Sequence, residues 1–271
     1  MRELDGRVAV VTGASSGIGR ALASELGRQG MHVALADIDA DLLGEATEEV
    51  ARTGATAVGI PTDVADPEAV EALAASVLAK FGAVHVVCNN AGVSRMGYSW
   101  EMPLADWQWV MNVNFWGIVH GIRSFVPHLI RQPEGHIINT ASIGGLIPAP
   151  YIGAYTAAKH AVIGVSRSLR LELAERAPHI GVGVLCPGSV ATGIDPHTPR
   201  PDDGPEDLPP AAASLAAHAR SARDKGLNPA EVAQMALRNI REGGFYLLPN
   251  IGDFLPLLRA DFDEVLAAPV E

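Results

Sequence analysis

The chain has 271 residues with a formal net charge of −11, and 48% of its residues are hydrophobic. This acidic balance argues against a nucleic-acid partner, which would need a basic stripe, and mainly aids solubility. No apolar run approaches the ~20 residues of a membrane span, and the polar start MRELDGR is unlike a secretory signal. We therefore expect a cytoplasmic protein with no membrane partner.

The first fifty residues alternate between apolar and amphipathic segments around a glycine-rich turn. Residues 7–12 form a Val-rich run typical of a strand buried on both faces, and an amphipathic segment follows over 17–29. A second apolar run, 31–37, ends at Asp37, which stands 18 residues past Gly19. Many glycine turns bind nothing, but these flanking strands and this carboxylate predict a dinucleotide site. The glycines would admit a pyrophosphate, and the acid would meet the adenosine ribose.

Strand-like and helix-like segments continue to alternate, which predicts one α/β domain over residues 1–271. We expect a Rossmann-type doubly wound fold, with a seven-stranded parallel sheet and helices on both faces. The expected strands lie at 7–12, 31–37, 55–61, 84–89, 135–140, 181–186 and 244–248. The expected helices lie at 17–29, 39–53, 67–81, 103–131, 153–177 and 229–242.

A Ser, a Tyr and a Lys near the middle of the chain form a candidate acid–base group. Tyr155 and Lys159 are four residues apart, so they share one face of a predicted helix. A free phenol has a pKa near ~10, and a neighbouring ammonium lowers that pKa toward neutrality. A Ser142 hydroxyl would hold a substrate oxygen beside the phenol. Such a spacing also arises by chance on a surface helix, so other motifs must support it.

Further motifs follow in one order along the chain: Thr12-Gly13-x3-Gly17-x-Gly19, Asn89-Asn90-Ala91-Gly92, Asn114, Ser142-x12-Tyr155-x3-Lys159, and Pro187-Gly188 before Thr192. Together they resemble the short-chain dehydrogenase/reductase family over about residues 5–192. The resemblance implies reversible hydride transfer between a secondary alcohol or its ketone and a nicotinamide ring.

The resemblance also implies a role for each catalytic residue. Tyr155 would be the acid and base, Lys159 would lower its pKa and bind the nicotinamide ribose, and Ser142 would hold the substrate oxygen. Asn114 would support a proton relay through a water molecule; its alternative is a satisfied buried amide. If Asn114 supports the proton relay, the nearby Asn112 is expected to have the structural role.

The same positions predict NAD rather than NADP. A 2′-phosphate would meet the like charge of Asp37, no base follows at Ile38 or Asp39, and Ser16 stands where phosphate-preferring relatives often carry a base. The implied cofactor-binding residues are Gly13, Ser15, Ser16, Gly17, Ile18, Gly19, Asp37, Ile38, Asp63, Val64, Asn90, Ala91, Gly92, Tyr155, Lys159, Pro187, Gly188, Val190 and Thr192.

The histidines and cysteines indicate no further chemistry. Nine histidines are scattered without metal-ligand spacing, so we expect no catalytic metal. Cys88 and Cys186 lie in strand-like runs, where they act as small buried hydrophobes more often than as a disulfide or a nucleophile.

Two segments depart from the alternating pattern. Residues 188–228 carry many prolines and acids and then a helix-capable piece, which predicts a substrate lid or, alternatively, a solvent loop. The tail, 251–271, has apolar residues at partly helical spacing, which predicts either packing on its own domain or a subunit contact in a homodimer or homotetramer. Helices 103–131 and 153–177 are the usual dimer faces of the family.

The substrate is the least constrained part of the prediction. Candidate walls beside the lid are largely apolar or aromatic, which favours a hydrophobic alcohol or ketone: Ser94, Met96, Tyr98, Trp100, Ile143, Tyr151 and Ile152. Arg95 is the one cation nearby and is expected to face solvent. Two alternatives remain open, a catalytically silent NAD-binding sensor and an NAD-dependent epimerase or dehydratase on the same fold.

Overall fold

The computed structural model describes residues 1–194, 198 and 208–268. They form a seven-stranded sheet in the order β3-β2-β1-β4-β5-β6-β7, with every neighbouring pair parallel. The strands are β1 Val8–Thr12, β2 His32–Asp37, β3 Ala57–Pro61, β4 Val86–Asn89, β5 Gly135–Thr140, β6 Ile180–Leu185 and β7 Tyr246–Leu247. The predicted doubly wound sheet is confirmed.

Helices connect and cover these strands: α1 Gly17–Arg28, α2 Ala40–Ala51, α3 Pro67–Phe81, α4 Leu104–Met111, α5 Gly117–Leu129, α6 Gly153–Arg176, α7 Pro210–Asp224, α8 Pro229–Glu242 and α9 Leu255–Leu266. The prediction of a single helix over 103–131 is wrong in one respect. A wide π-helical turn, Asn112–Trp116, separates α4 from α5. Such turns are common at functional sites, and this one contains Asn114.

The core has two halves because successive strand side chains point to opposite faces of the sheet. In β1, Val8 and Val10 join one buried cluster with Phe125 of α5, whereas Ala9 and Val11 join a second cluster. Helices α3, α5 and α6 contribute to the first half, and α1, α2 and α8 contribute to the second. A sheet covered on both faces leaves its strand ends as the open surface for a ligand.

Both cysteines are buried and free, as the sequence predicted. Burial raises the pKa of each thiol to about 12, so both stay protonated and pack as small apolar groups. Among the described residues, no group of His, Cys, Asp and Glu is arranged to hold a metal ion. The described helices also include none whose length and hydropathy would suit a membrane span.

A buried polar contact ties β5 to the end of α8. His136 is 3% exposed, and its Nε2 donates to Asn239 Oδ1 at 2.8 Å. The Asn239 amide in turn donates to the carbonyl oxygens of Gly243 and Gly244, at 3.2 and 2.9 Å, in the turn before β7. Burial lowers the pKa of His136 to about 4, so the imidazole is neutral in the folded chain at pH 7.

We expect this histidine to make stability depend on pH. The pKa of this imidazole is ~6.5 in the unfolded chain. Its neutral form therefore contributes fully to the free energy of unfolding above that pH, and the contribution is lost as the pH falls toward 4. Between pH 6.5 and 5 the free energy of unfolding should fall by about 2 kcal/mol through this group. Urea unfolding at several pH values measures this change.

His136→Gln keeps an amide donor for Asn239 without titrating, and should reduce that pH dependence. His218→Gln, on the exposed surface of α7, is the control and should retain it. Equal pH dependence in wild type and His136→Gln would contradict the assignment.

Candidate active site

A cavity of about 810 Å³ opens where the carboxyl ends of the strands meet. It is lined by every cofactor-binding residue predicted from the sequence except Gly19, and by Ser142. Asp37 ends β2 and Ile38 follows it, Asp63 and Val64 lie after β3, and Pro187 lies after β6. Residues spread over most of the chain are thus brought to one site.

The glycine turn is built by close backbone approach. Gly13 and Gly17 have positive φ values of 64° and 51°. A Cβ on Gly13 would come within 2.8 Å of the Ala91 Cα, and one on Gly19 would collide with the Gly13 carbonyl oxygen. Gly19 therefore closes the turn from behind and does not line the cavity.

The carboxylate of Asp37 is held in place by peptide groups. The Ser15 N–H donates to Oδ2 at 2.9 Å, and the Asp39 N–H donates to Oδ1 at 3.2 Å. Arg20, early in α1, is bound to Glu49 of α2 at 2.8 Å. The side of the cavity next to Asp37 therefore has a fixed negative charge, and the arginine early in α1 is already paired.

Asparagine amides tie the strand ends together. The Thr12 hydroxyl accepts from the backbone N–H groups of Asn90 and Ala91 at 2.9 and 3.2 Å. The Asn90 side chain donates to the Thr12 carbonyl at 3.1 Å, and Asn89 donates to Asn139 of β5 at 2.9 Å. These bonds hold the ends of β1, β4 and β5 in one arrangement.

Ser142, Tyr155 and Lys159 meet at the other end of the cavity. Ser142 follows β5 and lies beside Tyr155, in the first turn of α6, because a Cβ on Gly144 would be 3.4 Å from the Tyr155 ring and 3.6 Å from the Ser142 hydroxyl oxygen. Lys159 lies one helical turn further, with Nζ 5.6 Å from the centre of the Tyr155 ring. Its ammonium donates to the Thr140 carbonyl oxygen at 2.9 Å. The phenol, the hydroxyl and the cation thus form one cluster.

The protonation of this cluster differs in one respect from the expectation. Burial raises the pKa of Tyr155, although its hydrogen bond with Ser142 acts in the opposite direction. Burial also lowers the pKa of Lys159 to about 8. The expected net lowering of the Tyr155 pKa is therefore wrong for the chain alone, because loss of water around the phenolate outweighs the interactions that favour it.

Asn114 is fully buried in the π-helical turn. Its Oδ1 accepts from the Val93 N–H at 3.0 Å, and its Nδ2 donates to the Val93 carbonyl at 2.8 Å. A Cβ on Gly92 would lie 2.8 Å from Asn114 Oδ1 and 3.5 Å from Lys159 Nζ, so the two side chains converge on this glycine. Asn112 is exposed, and its assignment as the structural asparagine is wrong.

The cavity walls beyond the catalytic cluster differ from those named from the sequence. Ser94, Met96, Tyr98, Trp100, Ile143, Tyr151 and Ile152 are not among the residues that line the cavity. The rings of Tyr98, Trp100 and Tyr151 instead pack on one another, with centroids 4.7 and 5.2 Å apart. Four residues not named from the sequence take their place, Val93, Trp109, Val113 and Ala141, together with Ile194 and Thr198 from the predicted lid.

Trp109 and Val113 could have been found from their spacing. They are four residues apart on a predicted helix, so they share one face of it, and Val113 directly precedes Asn114. The other missed residues carry no comparable pattern.

Arg95 does not face solvent, contrary to the expectation. It is 1% exposed and forms an ion pair of 3.2 Å with Asp106 of α4. It also donates to the carbonyl oxygen of Thr198 at 3.0 Å. A buried guanidinium needs such partners, because an uncompensated charge in the interior is costly. This arginine therefore has a role within the fold rather than on the surface.

Known proteins share both this sequence pattern and this fold. A profile of the short chain dehydrogenase family matches residues 7–202. The 1-deoxy-11-beta-hydroxypentalenate dehydrogenase of Streptomyces exfoliatus is 38% identical over 265 residues, which cover 97% of this chain and 89% of that protein.

Solved structures agree with the family match. A short chain dehydrogenase/reductase from Burkholderia phymatum in complex with NAD has a TM-score of 0.92 and 36% identity, covering 100% of this chain and 99% of that one. An alcohol dehydrogenase from Thermococcus sibiricus complexed with 5-hydroxy-NADP has a TM-score of 0.74 and 28% identity, covering 90% of this chain and 96% of that one. The chain is therefore an oxidoreductase of the short-chain dehydrogenase/reductase family.

Proposed function

We propose that the chain is an NAD-dependent oxidoreductase that interconverts a hydrophobic secondary alcohol and its ketone. One observation carries the proposal. The cluster of Ser142, Tyr155 and Lys159 lies in the same cavity as the glycine turn and the fixed carboxylate of Asp37. Acid–base chemistry and a dinucleotide site are thus within reach of one another.

The residues present fit a dinucleotide. Side chains at Gly13 or Gly17 would meet Ala91 or Thr192, so the turn keeps a surface of bare backbone suited to phosphates. Bound NAD would accept hydride from the alcohol or, in its reduced form, return hydride to the ketone.

Side chains of the protein itself transfer the proton and bind the substrate oxygen. The Tyr155 phenolate takes the hydroxyl proton in oxidation, and the phenol supplies it in reduction. Ser142 holds the reacting oxygen beside Tyr155, and the Lys159 ammonium stabilises the phenolate. Lys159 also binds the nicotinamide ribose, while Asn114 supports a proton path through water between Lys159 and solvent.

Asp37 supports NAD over NADP. Its carboxylate is bonded to two peptide N–H groups, so it cannot swing away from a 2′-phosphate without losing both. Arg20, the first arginine after the glycine turn, is paired with Glu49. One similar structure contains NAD and another contains an NADP derivative, so similarity to solved structures does not favour either cofactor. The preference for NAD follows from the contacts of Asp37 and Arg20.

The cavity walls support a hydrophobic substrate. Val93, Trp109, Val113 and Ile194 give the wall an apolar surface. The relative named 1-deoxy-11-beta-hydroxypentalenate dehydrogenase acts, by that name, on a substrate that carries a hydroxyl group.

We also propose that residues 188–228 form a substrate lid within a single domain of residues 1–271. Ile194 and Thr198 line the cavity, and a parallel bridge between Val190 and Leu227 joins the two ends of the segment. The segment thus leaves and returns at one place beside the site. Most of its prolines and acids, over 195–197 and 199–207, lie outside the described residues.

Tyr155→Phe should reduce turnover roughly 10³-fold and leave NAD affinity within a few-fold, because only the transferable proton is removed. Turnover is followed by NADH absorbance across a panel of secondary alcohols, and affinity by titration calorimetry. For wild type, alcohol oxidation should speed up as the pH rises above 7, since the raised pKa of Tyr155 leaves little phenolate at neutral pH.

Thr156→Val, at the neighbouring position of α6, is the matched control and should retain activity. Full turnover in Tyr155→Phe would exclude this residue as the acid and base.

Asp37→Ala should weaken NAD binding by about tenfold, or ~1.4 kcal/mol, through the loss of a charged hydrogen bond. The same change should improve NADP binding, because the like charge is gone. Dissociation constants for both dinucleotides, compared with an Asp39→Ala control, measure the effect. A wild type that prefers NADP would defeat the electrostatic argument.

The tail supports a homodimer or homotetramer. In α9 the apolar side chains of Leu257, Phe262, Val265 and Leu266 are 58, 56, 67 and 81% exposed. These four side chains of α9 therefore do not pack on their own domain, which was the alternative expectation for the tail. Exposed apolar surface of this kind marks a contact site.

Truncation after Asn250 should therefore lower the molar mass measured by light scattering after gel filtration. Phe262→Glu, which keeps the full chain, should act in the same direction, and Asp263→Ala should leave the mass unchanged. An unchanged mass in both of the first two variants would remove the tail from the interface.

A further inference from the structure

A short segment between β7 and α9 packs against the backbone that leaves β6. Within it, Asn250 has a φ of 51°, and Tyr151 is the only other non-glycine residue of the described chain with a positive φ. Asparagine tolerates this left-handed conformation better than most residues do. Backbone held in such a conformation often serves a site nearby. The contacts of Asn250 show which site it serves.

The Asn250 amide bonds backbone groups of two consecutive residues, Gly188 and Ser189. The Gly188 N–H donates to Oδ1 at 3.1 Å, and Nδ2 donates to the Ser189 carbonyl oxygen at 3.0 Å. The Leu227 N–H donates to the same carbonyl oxygen at 3.1 Å. One side chain thus satisfies a backbone donor and a backbone acceptor, and at the Ser189 carbonyl oxygen it acts together with Leu227, a residue of the Val190–Leu227 bridge.

Phe254 adds a steric contact at the same place. A Cβ on Gly188 would come within 2.5 Å of the Phe254 ring, so the ring lies directly on the bare backbone of Gly188. A side chain at position 188 would therefore displace the loop or the ring. The Asn250 bonds and the Phe254 ring together fix the start of the loop.

The held loop connects the two halves of the active site. The Pro187 carbonyl accepts from the Ile143 N–H at 2.8 Å, directly after Ser142. At its other end, Thr192 side-chain atoms lie 3.1 Å from where a Cβ on Gly17 would be. Pro187, Gly188, Val190 and Thr192 all line the cavity, whereas Asn250 does not. Any effect of Asn250 on a ligand must therefore pass through this backbone.

We propose that Asn250 is a positioning residue that holds residues 187–192 against the nicotinamide end of the dinucleotide. The inference rests on the proposed function, because Ser142 and Tyr155 define which end of the cavity takes the nicotinamide. Asp37 lies at the other end, where the adenosine half would bind. Loss of the Asn250 amide should then affect the two halves of the cofactor unequally.

The test compares two ligands on the full chain. NAD and ADP-ribose share the adenosine half and both riboses, but ADP-ribose lacks the nicotinamide ring. Asn250→Gly removes the amide while favouring the same positive φ, so backbone strain is not a confounding factor. Its dissociation constant for NAD should rise about tenfold, as the loss of two neutral hydrogen bonds would give, and that for ADP-ribose should stay within twofold.

Asn250→Asp provides a second, smaller change. It keeps an acceptor for the Gly188 N–H and loses the donor to Ser189, so its NAD dissociation constant should lie between those of wild type and Asn250→Gly. Asp263→Ala, on the exposed surface of α9, is the control and should bind both ligands as wild type does. If Asn250→Gly fails to fold, the ratio of the two dissociation constants in Asn250→Asp decides.

The outcomes separate this inference from the proposed function. Equal weakening of both ligands, or no weakening, in a variant of a wild type that binds NAD would overturn the positioning role alone. A wild type that binds neither NAD nor NADP would overturn the proposed function and this inference with it. Selective loss of NAD affinity, with ADP-ribose unaffected, supports both.

Discussion

The close approach of Gly13 to Ala91 is the constraint on which the rest of the site depends. The two backbones come so near that a single Cβ on Gly13 would reach 2.8 Å from the Ala91 Cα. The Thr12 hydroxyl fixes this approach by accepting from the peptide N–H groups of Asn90 and Ala91, which directly follow β4. Because β1 and β4 are neighbours in the sheet, this contact sets where the glycine turn stands relative to the catalytic cluster.

A second convergence point lies at Gly92, directly beyond the first. Asn114 reaches it from the π-helical turn, and Lys159 reaches it from α6. Asn114 binds both backbone groups of Val93, which fixes the chain after β4 at the same time. The buried-amide and relay interpretations of Asn114 are therefore compatible: the side chain that supports the loop is also the one beside the lysine.

The periodicity of the chain predicted the sheet and most helices, because strands buried on both faces and amphipathic helices have strong patterns. Of the cofactor-binding residues predicted from the motif spacing, all but Gly19 line the cavity. What the sequence could not predict depends on three-dimensional packing. The residue types in the π-helical turn around Asn114 also occur in regular helices, so the sequence does not mark the turn. Tyr98, Trp100 and Tyr151 were expected to line the pocket, whereas their rings pack on one another.

Charge was also misjudged where burial decides it. Arg95 has nothing nearby in the sequence that announces its pairing with Asp106, eleven residues further on. The pKa of Tyr155 was expected to follow its charged neighbour, whereas desolvation has the larger effect. Both errors share a cause, because a residue's exposure depends on elements that are distant in the chain.

The bridge between Val190 and Leu227 has a consequence for how such a chain diversifies. Since the two ends of the intervening segment are already joined, a change in its length alone has a small loop-closure cost. Each doubling of a flexible loop costs only about 0.6 kcal/mol. Segments of different length could therefore be exchanged between relatives at this bridge, changing what the enzyme accepts while the cofactor end of the site stays as it is.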